Sequence, residues 1–105
     1  MARLRYTPAA LEMMGAIHRY IAGTLQNPSG ADNTVLFIRD QISLLKTSPL
    51  VGTPLSVRFD SLPERYMDAR FLVCGNYIAI YRYAKGTVDI LRIYHSAQDY
   101  IRHLV

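Results

Sequence analysis

Apolar residues recur every three or four positions through the first half of the chain, and this spacing predicts two amphipathic helices. In the first helix the repeating positions are Leu11, Met14, Ile17 or His18, Ile21 and Leu25, between a Thr7-Pro8 start and an Asn27-Pro28 stop. In the second helix they are Val35, Ile38, Ile42 and Leu45, ending at Ser48-Pro49. Only a short polar loop separates them, so the sequence predicts an antiparallel helical hairpin.

The second half of the chain changes to alternating polar and apolar residues, which is the period of a β-strand. Strands are predicted over residues 67–73, 77–83 and 88–94, joined by turns at Gly75-Asn76 and at residues 84–87. Together they predict a three-stranded antiparallel meander.

Three further segments complete the prediction. Residues 3–6 alternate as well and predict a short N-terminal strand. Residues 48–64 contain three prolines and predict an irregular connection with a short strand at 56–59. Residues 96–105 predict one or two final turns of helix.

A period of two also assigns the strand residues to faces. Ile78, Ile80 and Arg82 are predicted on one face, opposite Tyr77, Ala79, Tyr81 and Tyr83; Ile90, Arg92 and Tyr94 are predicted opposite Leu91, Ile93 and His95. Each amphipathic helix and the apolar sheet face need a partner to bury against. We therefore predict an α+β fold in the order β-α-α-β-β-β, with a small antiparallel sheet packed on the N-terminal helical hairpin in one domain over residues 1–105.

Composition narrows the class of protein. Of 105 residues, 50% are hydrophobic and 19% are charged, which excludes a disordered chain, and no apolar run is long enough for a membrane-spanning helix. Cys74 is the single cysteine and has no partner for an internal disulfide. The N-terminus lacks the pattern of a secretory signal, so we expect a cytoplasmic protein.

Charge points to an acidic partner without identifying it. Lys and Arg number 12 against 8 Asp and Glu, for a formal net charge of +4. The histidines His18, His95 and His103 stand far apart, and no carboxylate pair or Cys74 lies at ligand spacing from them. Gly75 and Gly86 are isolated, so no phosphate-binding loop is present. We predict neither a metal nor a cofactor.

One set of side chains has the chemistry of a binding or catalytic surface. Its members are Arg58, Arg65, Arg70, Arg82, Arg92 and His95, which are predicted to line one concavity bordered by Tyr77, Tyr81 or Tyr94. Such a surface fits RNA contact or acid–base cleavage of RNA, and it fits an acidic peptide equally well. The alternative is that Arg82 and Arg92 form cross-strand ion pairs with Asp68 and Asp89.

Two segments resemble the C-terminal half of the RelE/ParE toxin superfamily, and the ParE branch in particular. They are residues 70–82, RFLVCGNYIAIYR, and residues 88–95, VDILRIYH, followed by Asp99. The helical hairpin, the loop from Pro49 to Pro54 and the chain length agree with this resemblance. It implies the toxin of a bacterial type II toxin–antitoxin pair, held inactive by a co-transcribed antitoxin.

The resemblance implies two alternative targets, because RelE-like toxins cut messenger RNA on the ribosome and ParE-like toxins inhibit DNA gyrase. Ile78 and Ala97 stand where RelE-like nucleases carry catalytic arginines, and the lysine pair of their loop is absent. This favours gyrase, although Ala97 also departs from the ParE pattern. The residues expected to bind a partner are Arg58, Arg65, Arg70, Tyr81, Arg82, Arg92, Tyr94 and His95. The alternative nuclease would use Arg70, Arg82, Arg92 and His95.

Overall fold

The structure is a computed structural model that describes residues Met1–Ser96. The predicted helical ending beyond Ser96, together with Ala97 and Asp99, lies outside the described residues. No helix among residues 1–96 is both long and apolar enough to cross a membrane.

The predicted helical hairpin is confirmed. Helix α1 spans Pro8–Arg19 and continues as a π-helical turn over Tyr20–Thr24; helix α2 spans Pro28–Ser43 and ends in a 3₁₀ turn at Leu44–Lys46. Each helix starts with a side-chain cap. The Ala10 N–H donates to Thr7 Oγ1 at 3.1 Å, and the Gly30 N–H donates to Asn27 Oδ1 at 3.1 Å. Proline follows each cap at the first helical position, where its missing N–H is not needed.

Five strands form one sheet. They are β1 (Arg3–Tyr6), β2 (Thr53–Pro54), β3 (Arg70–Cys74), β4 (Tyr77–Ala84) and β5 (Thr87–His95), in the spatial order β1-β5-β4-β3-β2. The meander of β3, β4 and β5 is antiparallel, as predicted. The predicted α+β fold, with a small sheet packed on the N-terminal helical hairpin, is confirmed. The sheet is mixed and not antiparallel throughout, because β1 lies parallel to β5. Parallel pairing is available because a long stretch of chain, the helical hairpin followed by β2, β3 and β4, connects β1 to β5.

The connection between α2 and β3 departs from the prediction. The segment Leu55–Arg58 is a single helical turn, α3, and the short strand is Thr53–Pro54 instead of 56–59. The Leu55 N–H donates to the Ala69 carbonyl at 3.0 Å, which holds the start of this turn against the sheet. A 3₁₀ turn at Glu64–Tyr66 follows, and β3 starts at Arg70 instead of at the predicted residue 67.

A β-bulge in β5 changes which side chains share a face. Ile80 pairs with Arg92 whereas Tyr81 pairs with Ile90, so Leu91 is an extra residue. Ile90 therefore faces the helices, and the prediction that it shares a face with Arg92 and Tyr94 is wrong. The Thr7 hydroxyl lies 2.9 Å from the Ile90 carbonyl and 3.2 Å from the Leu91 carbonyl, which ties the start of α1 to the bulge.

Both faces of the sheet are buried. The helix side packs Ala10, Met14, Ile38, Ile42 and Leu45 on Cys74, Ala79, Tyr81, Val88, Ile90 and Ile93. The opposite side packs Leu55, Tyr66 and Ala69 on Phe71, Ile78, Ile80 and Tyr94. The long connection before β3 therefore covers the second face. Its apolar residues do not alternate with polar ones because they pack on the sheet from an irregular segment and not from a strand.

The hydroxyl of Tyr81 holds the start of that connection. Tyr81 is fully buried; its hydroxyl donates to the Pro49 carbonyl at 2.8 Å and accepts from the Gly52 N–H at 2.9 Å. A Cβ at position 52 would lie 2.5 Å from the same hydroxyl, so only glycine fits there. One side chain thus fixes the path of the chain from the hairpin to β2.

We predict that Tyr81→Phe destabilises the fold by about 1–3 kcal/mol, because it leaves the Gly52 N–H and the Pro49 carbonyl without their partner. Urea unfolding measures the change. Tyr83→Phe is the matched control, since Tyr83 lies on the same strand and is 37% exposed. Equal stability of the two variants would contradict this role for the Tyr81 hydroxyl.

Burial of Cys74 predicts a loss of stability at alkaline pH. Burial raises the pKa of the Cys74 thiol to about 11, whereas the pKa of a cysteine in an unfolded chain is about 8.5. Below the lower value both states keep the proton. Between the two values only the unfolded chain loses it, so the free energy of unfolding falls as pH rises, by about 1–2 kcal/mol at pH 10.

Urea unfolding of the parent protein and of Cys74→Ala at pH 7 and pH 10 isolates this contribution. Burial also raises the pKa of Tyr77, Tyr81 and Tyr94, and those groups act equally in both proteins. The pKa of Tyr6 is raised by burial and also by the charge of Cys74, so its response to the substitution belongs to the contribution of the thiol. The parent should lose more stability than the variant over this pH interval. Equal losses would show that the thiol does not carry the effect.

Candidate functional site

The residues predicted to line one concavity lie in separate places. Arg70 lies beside Tyr81 in the β3–β4 register and donates to the Gly52 carbonyl at 2.8 Å and to the Leu50 carbonyl at 3.2 Å. Since Tyr81 also contacts this loop, the pair holds the chain together at one edge of the sheet. Both side chains thus have structural contacts within the fold.

Three of the predicted arginines do come together. Arg65, Arg82 and Arg92 line a small groove of about 280 Å³, together with Thr7, Pro8, Ala9, Tyr66 and Leu91. We call this the arginine groove. Arg82 is held by an ion pair of 2.7 Å to Asp68 and by a hydrogen bond to the Arg65 carbonyl. Its arginines from the sheet lie on the face opposite the helical hairpin, because Arg92 pairs with Ile80 there, and the first residues of α1 border the groove on one side.

Arg92 differs from Arg82 in its contacts. It is half-buried, and no ion pair among the described residues involves it. The predicted ion pairs of the meander are therefore only partly present. Arg82 does contact Asp68, but Asp89 pairs with Arg5 of β1, whose guanidinium reaches both carboxylate oxygens at 2.8 and 3.1 Å.

Two tyrosines, Tyr66 and Tyr94, are buried on the sheet face that carries Arg82 and Arg92. Tyr94 is 4% exposed, as is Tyr66 of the arginine groove. Burial raises the pKa of the Tyr94 phenol, against an opposing effect of the nearby Arg92 charge. A buried phenol with a raised pKa is a poor proton donor or acceptor near neutral pH.

His95 lies on the other face. Its ring contacts the Tyr77 ring edge-on, with the ring centroids 5.2 Å apart. Alternation along β5 places His95 with Ile93 on the helix side, and Arg92 with Tyr94 on the opposite side. The candidate proton-transfer group is therefore separated from the arginine groove by the sheet.

His95 borders an apolar groove of about 640 Å³ between the helices and the end of the sheet. We call it the apolar groove; its lining residues are Met13, Ala16, Ile17, Tyr20, Ile21, Leu25, Tyr77, Ile93 and His95. Tyr20 and Leu25 are 57% and 55% exposed. The helical period assigned Leu25 to the core, but the π-helical turn at Tyr20–Thr24 shifts the angular positions of the residues that follow. The exposure of Leu25 is thus a surface feature that periodicity alone does not reveal.

Arg58 belongs to neither groove. Its guanidinium lies 5.2 Å from the centroid of the Phe71 ring, a cation–π distance. Within the described part of the chain, no three His, Cys, Asp or Glu side chains cluster as metal ligands would.

Comparison with known proteins shows that this chain is a toxin of a type II toxin–antitoxin system. A family model described as "ParE toxin of type II toxin-antitoxin system, parDE" matches residues 4–100, so the chain belongs to the ParE toxin family. The predicted ParE branch of the RelE/ParE superfamily is thereby confirmed.

A solved structure shares the fold. It is described as the chromosomal ParDE TA system from P. aeruginosa, and it is similar with a TM-score of 0.67 and 24% sequence identity. The similarity covers 90% of this chain and 96% of that one. No curated protein sequence matches this chain.

Proposed function

We propose that this protein inhibits bacterial growth by binding DNA gyrase through protein–protein contact, and that a cognate antitoxin neutralises it. Membership of the ParE toxin family supports a toxin of this kind. The observation that favours an inhibitor over a nuclease is the separation of His95 from Arg82 and Arg92 by the sheet. Acid–base cleavage of RNA needs a proton-transfer group and phosphate-binding cations around one phosphate.

The other members of the alternative nuclease site agree with this choice. Arg70 donates to two loop carbonyls, and Tyr94 is buried. Ile78, which stands where the nucleases carry an arginine, is 6% exposed and packs in the core. None of these three side chains offers a cation or an accessible proton at a shared site.

The apolar groove is the surface that we assign to the antitoxin. A toxin must be held stably to remain inactive, and burial of apolar area is the main source of stability in such interfaces. The apolar groove has a lining rich in aliphatic and aromatic side chains, and Tyr20 and Leu25 stand exposed at its margin. An amphipathic helix with apolar residues on one side fits a groove of this composition.

The first test is a supercoiling assay with purified gyrase. We expect the protein to block supercoiling and to accumulate cleaved DNA, because it would stabilise gyrase in a DNA-bound state. The assay measures the fraction of relaxed, supercoiled and linear plasmid against protein concentration. Expression of the chain alone should also stop growth, and co-expression of the neighbouring small open reading frame should restore it.

The same material tests the ribonuclease alternative. His95→Ala should leave growth inhibition intact, since His95 has no chemical role in gyrase binding. Intact gyrase activity together with cut messages in a translation extract would overturn the proposal. Loss of messenger cleavage in His95→Ala would then assign the proton transfer to this residue.

A second test addresses the apolar groove. Leu25→Glu should weaken binding of the antitoxin encoded beside this chain at least about tenfold, because it places a charge in an interface that excludes water. Isothermal titration calorimetry measures the dissociation constant. Leu11→Glu is the matched control, since Leu11 is 53% exposed on α1 and does not line the groove. Equal weakening by the two variants would contradict this assignment.

A further inference from the structure

The arginine groove has the composition of a site for carboxylates. Its lining contains Arg65, Arg82 and Arg92 and, among the described residues, no Asp or Glu. Asp68 satisfies part of Arg82 from outside the lining. The groove thus concentrates positive charge in a narrow space with low-dielectric walls, which strengthens its attraction for an anion.

The partner chemistry follows from the aromatic side chains at this site. Single-stranded nucleic acids are bound by cations together with exposed rings on which bases stack. Tyr66 and Tyr94 are each 4% exposed, so neither ring offers its face to a base. Cations without a stacking surface fit carboxylate side chains, which arginine binds through paired hydrogen bonds.

We propose that the arginine groove binds an acidic surface segment of the toxin's target protein, with a carboxylate of that segment bound by Arg92. This inference rests on the proposed function and names one of the contacts through which it acts. The arginine groove and the apolar groove open on opposite faces of the sheet. The target and the antitoxin therefore use different surfaces, and the target contact is the more electrostatic of the two.

The direct test uses a fluorescein-labelled Glu-rich peptide, its Gln-substituted counterpart and a single-stranded RNA oligonucleotide, with binding followed by fluorescence anisotropy. The full chain should bind the Glu-rich peptide, and the affinity should fall as salt rises. Arg92→Gln should weaken that binding about tenfold, as expected for loss of a charge-assisted hydrogen bond. Arg65→Gln, an exposed position in the same groove, provides a second variant should Arg92→Gln fold poorly.

Arg19→Gln is the matched control because it removes the same charge from outside the groove. Arg19 pairs with Glu12 on the exposed side of α1. The affinity of Arg19→Gln for the Glu-rich peptide should stay within about twofold of that of the parent protein. Equal losses in Arg19→Gln and Arg92→Gln would reduce the effect to net charge and overturn the proposal. Equal binding of the Gln peptide, or tighter RNA binding that depends on Arg92, would also overturn it.

A gyrase assay distinguishes the target from the antitoxin as the source of the carboxylate. Arg92→Gln should raise the concentration needed for half-inhibition of supercoiling about tenfold and leave antitoxin affinity within about twofold. Loss of antitoxin binding with unchanged gyrase inhibition would overturn the assignment to the target. If the parent protein leaves gyrase untouched, the proposed function fails, and the peptide experiment still decides whether the groove binds carboxylates.

Discussion

One extra residue in β5 sets the arrangement of both grooves. Without the bulge at Leu91, strict alternation would put Ile90 on the same face as Arg92 and leave a gap on the helix side. With it, Ile90 and Ile93 both pack under the helices, while Arg92 and Tyr94 face the opposite side. The hydroxyl of Thr7 lies within hydrogen-bonding distance of two carbonyls at the bulge, so the start of α1 is fixed at this irregularity.

The second constraint is the burial of both sheet faces in a chain of only 105 residues. A small domain has little apolar surface to bury, and a sheet covered on one side only would leave Phe71 and Ile80 in water. The connection after α2 covers them with Leu55 and Tyr66. Its path depends on the Tyr81 hydroxyl and on the absence of a side chain at Gly52, two contacts between residues far apart in sequence.

Features that depend on local sequence patterns could be predicted, and features that depend on contacts between distant segments could not. The two helices follow from apolar spacing and from proline after each cap, and the meander follows from period-two alternation, because both are local patterns. The parallel position of β1 and the bulge at Leu91 depend on which segments meet in space. The helical turn at Leu55 has the same origin. The separation of His95 from Arg92, in contrast, follows from the period-two alternation of β5, which put the two side chains on opposite faces although both were predicted to line one concavity. Of the arginines predicted to share a surface, Arg65, Arg82 and Arg92 lie together. Arg70 and Tyr81 instead make hydrogen bonds that hold the connection before β2.

Two grooves of unlike chemistry on opposite faces fit the proposed function, in which the toxin binds an antitoxin and a target protein at different surfaces. An apolar groove gives a long-lived complex, because its stability comes from buried area and is insensitive to salt. A cationic groove favours rapid encounter with an acidic surface, and its contribution declines as salt screens the charges. A single sheet that presents one groove on each face lets substitutions change one contact while the packing behind the other is retained. The separation follows from the regular alternation of β5 after the bulge, which puts Arg92 and His95 on different faces.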